Sequence, residues 1–328
     1  MPLKGRFGHT AVIHGTNIFI WGGMNKFIKQ SKTRSCINTV NKISTHTNTI
    51  ENVNVTGSQV NPRRYHSAAL IGTHMIVYGG ISDRNVYLDD VLDFDVESGA
   101  WSDVYPNGQG PGPLAYHSAI GIYDSIYEGM AKFTPYHYPK MYGLGPSSLK
   151  ESGVFIFGGM SADGFPSNKL YVIKIGRPSL NWIQPVTQGK PPSKRFLYSM
   201  NKMIHINSIA IYGGRSTKAA TPWYSFGDLY MLKLTNLMWT KVELFGVLPA
   251  PRNAHCAAIV GTRMYIFGGV NAANFCKSDL YHIEFGKEAE GLIKTDLEKR
   301  AAERKKTQYA ESRRLRNTSD PLSATTRF

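Results

Sequence analysis

The sequence predicts an all-β protein of about five four-stranded sheets gathered around a shared axis. The first observation is a repeated apolar run that ends in Gly-Gly. The second is an opening of the type "RRYHS", which begins about 17 residues before the second glycine of most pairs. The third is a strand led by aspartate or asparagine after most of the glycine pairs. The runs are "IFIWGG", "MIVYGG", "VFIFGG", "IAIYGG" and "MYIFGG", ending at 23, 80, 159, 214 and 269.

Each repeat contains four short strands separated by Gly, Pro and Asn, which we label A to D from the axis outwards. The continuous apolar runs are typical of strands that are buried on both faces. A single four-stranded sheet cannot bury both of its faces, whereas radial stacking of several sheets can, and it leaves only short, protected edges. Repeats of this length therefore favour a ring of sheets.

A tryptophan begins the fourth strand of three repeats, at Trp101, Trp182 and Trp239. We expect this large apolar side chain to fill the gap between adjacent sheets. In the first repeat the position is occupied by Ile50, which buries less surface. The glycine pairs allow the backbone to leave the sheet with dihedral angles that other residues disfavour.

Together these features resemble the kelch motif, with its R-x-x-H opening, four apolar residues before Gly-Gly, Tyr on the third strand and Trp on the fourth. The resemblance covers residues 5–285, about 85% of the chain. It implies a kelch β-propeller over 1–286. In similar kelch proteins, arginines at the propeller mouth capture acidic peptide segments or free C-terminal carboxylates, and one kelch-type propeller is a copper oxidase.

The fifth repeat departs from the pattern because no tryptophan follows it. Leu292 and Ile293 could form a short fourth strand; alternatively, the last blade is open. We therefore expect the last blade to be incomplete or closed in an unusual way. An unpaired sheet edge is a template for another chain, so a partner could complete it.

The third repeat carries an insert at 123–153, with five Tyr, one Phe and three Pro. A loop of this length inside a compact domain is uncommon and usually functional. Two interpretations remain open: the insert packs over its own propeller face, or it docks a partner.

The C-terminal tail, 287–328, predicts a basic α-helix over about 296–316. Thr295 and Glu298 form a capping-box pattern, and strong helix formers follow. Its apolar stripe is too thin for burial against a core. Three interpretations of this helix remain open: a solvated extension, a basic segment that lies on an acidic surface or, least favoured, a contact with nucleic acid.

The composition limits the classes of function. The formal net charge of +15 favours acidic partners. Three cysteines at irregular spacing are neither a disulfide framework nor a metal-ligand set, which favours a reducing compartment. No apolar run approaches the ~20 residues of a membrane span. We expect a cytoplasmic protein that acts on neither membranes nor, in the main, nucleic acids.

No arrangement of residues indicates catalysis, a metal or another cofactor. Four histidines recur at one repeat position, which favours a structural hydrogen-bonding role: His9, His66, His117 and His255. The acidic run Asp89–Asp95 lacks the glycine and terminal glutamate of a calcium loop. "GQGPGP" and "GKPPSKR" lack the strand and helix that a nucleotide-binding loop requires. We expect a non-enzymatic protein.

Binding is expected at the mouth of the ring, where arginine forks could hold carboxylates. Arginine, tyrosine and tryptophan also dominate the energetics of protein interfaces. Four of the arginines recur between repeats, so an alternative is that they anchor the linkers. The candidate partner-binding residues are Arg6, Arg63, Arg64, Arg84, Tyr87, Arg195, Arg215, Trp223, Tyr224 and Arg252.

We therefore expect a protein-interaction module that binds an acidic or carboxylate-bearing polypeptide within a larger assembly. One alternative is a structural component of a cytoskeletal or ciliary complex, because microtubule surfaces are acidic. Another is a substrate receptor of a ubiquitin ligase, a role that some kelch-only proteins have. No adaptor-binding element stands out in the sequence to support the second alternative.

Overall fold

The computed structural model of the chain describes residues 3–25, 35–122, 153–175, 179–218 and 221–285. These residues form 26 β-strands and one short 3-10 helix, arranged as five main antiparallel sheets. Most of the predicted insert and the whole predicted C-terminal helix lie outside the described residues. The chain divides into two compact units, Met1–Pro185 and Val186–Phe328. The predicted boundary near residue 286 falls at the end of the described residues and stays a prediction.

The first unit contains three sheets, each antiparallel in its main strands. Sheet 1 has the order β1-β2-β3-β4, with β1 Arg6–His14, β2 Asn17–Asn25, β3 Asn41–Ser44 and β4 Thr49–Asn52. Sheet 2 is built from β5 Thr56–Gly57, β6 Arg63–Arg64, β7 Ser67–Ile71, β8 His74–Ser82, β9 Tyr87–Asp95 and β10 Ala100–Val104. Sheet 3 has the order β12-β13-β15-β16, with β12 Ser118–Ile122, β13 Gly153–Phe157, β15 Leu170–Lys174 and β16 Asn181–Ile183. A separate ladder joins β11 Leu114–Ala115 to β14 Met160–Ser161.

The second unit contains sheets 4 and 5. Sheet 4 is built from β17 Gln188–Gly189, β18 Ser199–Met203, β19 Ser208–Tyr212, β22 Leu229–Lys233 and β23 Met238–Val242, with the 3-10 helix Ile204–Ile206 between β18 and β19. A hairpin of β20 Arg215–Lys218 and β21 Thr221–Ser225 connects β19 to β22 in the chain. Sheet 5 has the order β24-β25-β26, with β24 Cys256–Val260, β25 Arg263–Phe267 and β26 Leu280–Glu284. The fourth strand considered for this sheet lies outside the described residues.

Neighbouring sheets within a unit share one apolar core, as the continuous apolar runs predict. Trp101 is 2% exposed and lies 4.7 Å from Trp21 of the preceding sheet, measured between ring centroids. Trp182 of sheet 3 packs edge-on against Tyr78 of sheet 2, with centroids 5.1 Å apart. The predicted place of these tryptophans between sheets is therefore confirmed. Ile50 takes the tryptophan position in sheet 1, since it pairs with Ile43 as Trp101 pairs with Phe94.

The glycine pair Gly79–Gly80 of sheet 2 lies where the third repeat approaches closely. Gly79 has a φ of 61°, and a Cβ atom there would lie 2.4 Å from the carbonyl oxygen of Leu114, in the opening of the third repeat. No real Cβ atom tolerates that distance from a backbone atom. The first glycine of the pair thus admits the backbone of the following sheet.

Candidate functional site

The openings of consecutive repeats are joined by backbone hydrogen bonds, which places their arginines and aromatic residues side by side. In the first unit, the Tyr65 amide donates to the Gly8 carbonyl at 2.7 Å, and the Tyr116 amide donates to the Tyr65 carbonyl at 2.9 Å. In the second unit, the Ala254 amide donates to the Leu197 carbonyl at 2.8 Å. All five of these residues have positive φ. The sharp turn lets these openings bond to the preceding opening of the same unit.

Three recurrent arginines of the openings, Arg63, Arg195 and Arg252, are fully buried. In each, Nε donates to the carbonyl two residues earlier, and Nη1 donates to the carbonyl of the first glycine in the pair. Both Nη atoms donate to one aspartate near the third main strand. These aspartates are, in the same order, Asp90, Asp228 and Asp279, with Nη1–Oδ1 distances of 2.5, 2.7 and 2.6 Å.

These contacts correspond to the alternative that the recurrent arginines anchor their linkers. With 0% exposure and a bidentate carboxylate partner, the three guanidinium groups offer no surface to an incoming ligand. Because a charge as deeply buried as this requires a partner, the aspartates have a structural role as well. The predicted partner-binding role of Arg63, Arg195 and Arg252 is therefore not supported by their positions.

The first and third repeats vary this arrangement in different ways. Arg6 is half-buried, and its Nη2 donates to the Oδ1 atom of Asn41 at 2.7 Å, so its partner is a neutral amide. Burial lowers the pKa of Arg6. In the third repeat Leu114 replaces the arginine and Lys169 replaces the aspartate. Loss of the arginine together with its acid indicates that the two side chains act as a pair.

Arg64 is the neighbour of Arg63 but is held in a different way. Its Nη1 donates to the Ser82 carbonyl at 3.1 Å, and its Nη2 donates to Asn85 Oδ1 at 2.6 Å. The Cys36 sulfur lies 3.8 Å from Nη1. All three partners are neutral acceptors or a thiol, and within the described part of the chain no carboxylate forms a salt bridge with Arg64. The side chain is half-buried, so a fixed positive charge with no salt-bridge partner among the described residues faces the surface, and Asp83 binds the neighbouring Cys36 amide instead.

Aromatic side chains surround Arg64. Its guanidinium carbon lies 6.0 Å from the ring centroid of Tyr65, which is within the range of a cation–π contact. The rings of Tyr65 and Tyr116 lie 4.2 Å apart with an interplanar angle of 33°. Burial raises the pKa of Tyr116 to about 12 and also raises the pKa of Tyr87, with Arg64 opposing the rise in both. We call Arg64, Tyr65, Tyr87 and Tyr116 the Arg64 cluster.

The remaining predicted residue of the first unit, Arg84, is exposed in the turn between β8 and β9. It forms no hydrogen bond or salt bridge with another described residue. It follows Asp83, whose Oδ1 accepts the Cys36 amide. Arg84 is therefore an exposed positive charge in the same turn as Asn85, whose Oδ1 atom accepts a hydrogen bond from Arg64.

The predicted residues of the second unit lie in and beside the β20–β21 hairpin. Arg215 is half-buried; its Nη1 donates to Asn274 Oδ1 at 3.1 Å, and burial lowers its pKa. Tyr224 packs edge-on against Phe226, with centroids 4.8 Å apart. Trp223 lies on β21, one residue before Tyr224, and its side chain lies outside the described structure. Phe226 in turn lies 4.0 Å from the guanidinium carbon of Arg195.

Two features of the site were missed by sequence reasoning. The first is the Arg–Asp pairing, although the joint replacement by Leu114 and Lys169 in the third repeat was a signal for it. The second is the Tyr65–Tyr116 stack. Both tyrosines occupy the third position of an opening, where the first, fourth and fifth repeats carry Gly, Leu and Ala, so the departure from the repeat was visible.

Three of the four recurrent histidines, His66, His117 and His255, are buried, and the predicted hydrogen-bonding role is met by His66 and His255 but not by His117, whose ring nitrogens have no partner among the described residues. His66 Nε2 lies 2.8 Å from Thr10 Oγ1, and His255 Nε2 lies 2.9 Å from Ser199 Oγ. Burial lowers the pKa of His117 to about 3 and that of His255 to about 4. These side chains are therefore neutral in the folded protein at neutral pH. His9, at the same position in the first repeat, is exposed.

Two observations concern metal binding and thiol chemistry among the described groups. Within those residues no three His, Cys, Asp or Glu side chains are placed to hold a metal ion. Burial raises the pKa of the Cys36 thiol to about 11, with Asp83 adding to the rise, so this cysteine is a poor nucleophile at neutral pH.

Comparison with known proteins agrees with this architecture. Residues 2–150 and 147–311 match the family model of the KLHDC2/KLHL20/DRC7 Kelch-repeats domain. The chain belongs to the kelch-repeat family. The predicted fold class, an all-β kelch β-propeller of five sheets, is confirmed by this match and by the five sheets of the structure.

The kelch relatives are distant in sequence and longer than this chain. Kelch domain-containing protein 3 from Bos taurus is 24% identical over 271 residues, which are 81% of this chain and 61% of that protein. Host cell factor 1 from Homo sapiens is 26% identical over 282 residues, 80% of this chain but 12% of that protein. The solved structure of YjhT superposes with a TM-score of 0.63 at 14% identity, covering 86% of this chain and 82% of YjhT. This last likeness shows the fold alone.

One further finding concerns membrane-spanning helices. Among the described residues, no helix is long and apolar enough to cross a membrane.

Proposed function

We propose that this kelch protein is a non-enzymatic interaction module that binds an acidic or carboxylate-bearing polypeptide at the Arg64 cluster. The single observation that carries the proposal is the uncompensated, fixed charge of Arg64. Kelch-repeat relatives are found as parts of much longer proteins such as host cell factor 1, which supports a role within a larger assembly.

Arg63 and Arg64 differ in their burial and in their hydrogen-bond partners. Arg63 is completely buried against Asp90, whereas Arg64 is half-buried and bound by a carbonyl and an amide oxygen. Those two acceptors fix the guanidinium plane without neutralising it. A pre-oriented guanidinium is suited to a carboxylate, because its planar fork donates two parallel hydrogen bonds.

The tyrosines of the cluster supply the apolar contact that a peptide needs. Tyr65 and Tyr116 stack at 4.2 Å and are each half-buried, so part of each ring is accessible. Rigid aromatic residues beside an arginine are the usual centre of binding energy in protein interfaces. A peptide with an acidic group and an adjacent apolar or aromatic residue would meet both requirements.

The wider charge distribution favours the same class of partner. The chain has a formal net charge of +15, and Arg6 and Arg84 add positive charge in the same unit without a described acidic partner. A strongly positive surface accelerates encounter with acidic ligands, and this effect weakens as ionic strength rises.

The test is charge reversal at Arg64. The probe is a fluorescein-labelled oligoglutamate peptide with a free C-terminal carboxylate, and its affinity for the full chain is measured by fluorescence anisotropy at low and physiological salt. We expect Arg64→Glu to weaken binding at least tenfold, because a bidentate charge-assisted contact is replaced by repulsion. Tyr116→Ala should weaken binding less, about three- to tenfold.

The matched control is Lys241→Glu, which changes the net charge by the same amount at an exposed residue of strand β23 in the second unit. We expect this variant to weaken binding less than threefold. Equal losses for Arg64→Glu and Lys241→Glu would show that binding follows net charge, and the Arg64 cluster would then not be the site.

A further inference from the structure

Three of the turns that follow the glycine pairs share one backbone conformation and carry an exposed apolar residue at the same position. In each turn the carbonyl of the apolar residue accepts the amide of the residue four positions earlier, at 2.9, 3.2 and 3.2 Å. The residue directly before it, Asn or Gly, has positive φ. The apolar residues are Val86, Phe165 and Phe275, which are 55%, 67% and 69% exposed.

The fold explains the residue with positive φ in these turns, but it does not explain the apolar side chain that follows. Asn and Gly tolerate the left-handed conformation, so their place in the turn is conformational. An apolar side chain that stays more than half exposed removes little surface from water and adds little to stability. The recurrence of exposed apolar residues at one turn position therefore favours a role in binding.

Two of these turns, in sheets 2 and 3, are joined to the Arg64 cluster in the same way. Arg64 pairs with β8, and the turn after β8 contains Val86. In the next repeat Ala115 pairs with β14, and the turn after β14 contains Phe165. Tyr116 of the cluster follows Ala115 directly. Sheet 2 thus presents a cation beside a small apolar residue, whereas sheet 3 presents a large aromatic residue with alanine at the place of the cation.

The charged residues of the two turns direct an acidic group towards sheet 2. Asp163 is exposed in the turn of sheet 3, and its Oδ1 accepts the Phe165 amide at 3.2 Å and the Ser161 hydroxyl. In the turn of sheet 2, the formal charges of Asp83 and Arg84 cancel. A carboxylate is therefore attracted to Arg64 and repelled from the turn of Phe165, because like charges disfavour that placement.

The spacing of the two sheets sets the spacing of the groups on a ligand. Sheets 2 and 3 belong to the same unit and share one apolar core. Packed sheets lie about 10 Å apart, and an extended chain advances about 3.3 Å per residue. An extended peptide that crosses from the turn of sheet 2 to the turn of sheet 3 therefore does so in about three residues.

We propose that the acidic polypeptide bound at the Arg64 cluster carries an apolar residue about three positions from its acidic residue, and that this apolar side chain packs on Phe165. The inference rests on the proposed function and names the residue that selects among acidic sequences. Charge alone attracts any acidic segment, whereas an apolar contact at a fixed distance from Arg64 distinguishes one sequence from another.

The test is fluorescence anisotropy of the full chain with labelled peptides that differ at one residue. Each peptide has three glutamates and a Gly-Ser spacer, and the variable residue, phenylalanine or serine, lies three positions after the last glutamate. A second pair of peptides has the reverse order, with the variable residue three positions before the first glutamate. We expect phenylalanine to tighten binding to wild-type protein about fivefold in one of the two orders.

Substitution of Phe165 separates this contact from the charge of Arg64. Phe165→Ser should remove the gain that phenylalanine gives and leave the affinity for the serine peptide unchanged. Phe165→Leu keeps an apolar side chain and should retain most of the gain. Because Phe165 is 67% exposed, both variants should unfold at the wild-type temperature. Arg64→Glu should weaken the binding of both peptides.

The matched control is Phe275→Ser, which removes the same side chain from the same turn position in the second unit. This variant should keep the full gain from phenylalanine. Equal losses of the gain in Phe275→Ser and Phe165→Ser would show that the apolar contact is not specific to the turn of sheet 3, and the proposal would be wrong.

Two further results distinguish this inference from the proposed function. If phenylalanine gives no gain, or if the gain survives in Phe165→Ser, while Arg64→Glu still weakens binding, Phe165 is not part of the site and the proposed function stands. If Arg64→Glu weakens the binding of neither peptide, the proposed function fails and this inference fails with it.

Discussion

A buried arginine bound to an aspartate recurs in three of the five repeats. The stability of each pair depends on the individual hydrogen bonds of the guanidinium group. Arg195 has no exposed surface, and its guanidinium group donates to the Ser193 and Gly213 carbonyls and to Asp228. A guanidinium group keeps its proton, so it stays charged when it is buried. It therefore depends on the carboxylate as its counter-charge. These pairs fix the linker to the glycine pair and to the third strand.

Removal of one member of such a pair should be costly. Asp228→Ala leaves the buried Arg195 charge without compensation, and we expect the free energy of unfolding to fall by about 3 kcal/mol. Chemical denaturation monitored by tryptophan fluorescence measures the change. The double variant Arg195→Met with Asp228→Leu should recover most of the loss, because replacing both partners by apolar groups removes the buried charge.

Arg84→Ala is the control for that experiment, since Arg84 is exposed and has no described partner. A surface change of this kind should alter stability by less than about 0.5 kcal/mol. If Asp228→Ala were as mild as Arg84→Ala, the carboxylate would not be required by the buried arginine.

Between sheets, the glycine pair decides how closely two elements can approach. Gly79 and Gly268 occupy the same position in their repeats and have similar φ angles, 61° and 67°. They differ in what lies opposite: the Leu114 carbonyl crowds Gly79, whereas at Gly268 the Lys277 carbonyl, 3.4 Å away, is the only described group within 4 Å of an added Cβ. Substitutions at these two glycines therefore distinguish the cost of the left-handed backbone conformation from the cost of crowding between two sheets.

We expect Gly79→Ala to destabilise the protein more than Gly268→Ala, by at least about 2 kcal/mol. Both substitutions carry the cost of placing alanine in the left-handed region, about 1 kcal/mol, but only Gly79→Ala forces two sheets apart. Thermal or urea unfolding of dilute, monomeric protein gives the comparison. Equal losses would mean that the approach of the next sheet at Gly79 is not limiting.

Over the whole molecule, histidines buried between sheets link stability to pH. Burial lowers the pKa of His66, His117 and His255 in the folded state below the ordinary value near 6.5. The unfolded chain therefore binds more protons than the folded chain below about pH 6.5, and stability falls as the pH falls. His74 acts in the opposite direction, because Asp93 raises its pKa despite burial.

We expect the free energy of unfolding to fall by about 2 kcal/mol per buried histidine between pH 7 and pH 5, with His74 offsetting part of the total. Denaturant titrations at several pH values measure this dependence. His117→Tyr introduces the residue that the fourth repeat carries at this position, Tyr198, and should reduce the slope by about one proton. An unchanged slope in His117→Tyr would mean that His117 is not the buried titrating group.

The repeat pattern by itself determined the number of sheets, the place of Trp101 and Trp182 and the burial of three of the four recurrent histidines. These features depend on local periodicity and on burial, which a sequence displays directly. Ile50 is an example: its place in the segment "TNTIENVNVTG" was enough to assign it to the tryptophan position of sheet 1.

Only the tertiary structure decided which arginines are accessible. Arg63 and Arg64 are adjacent in sequence and chemically identical, yet one is buried against Asp90 and the other faces the surface beside Tyr65. The environments of the two side chains differ because neighbouring residues of a strand point to opposite faces of the sheet. The residues that pack on each face come from distant segments of the chain.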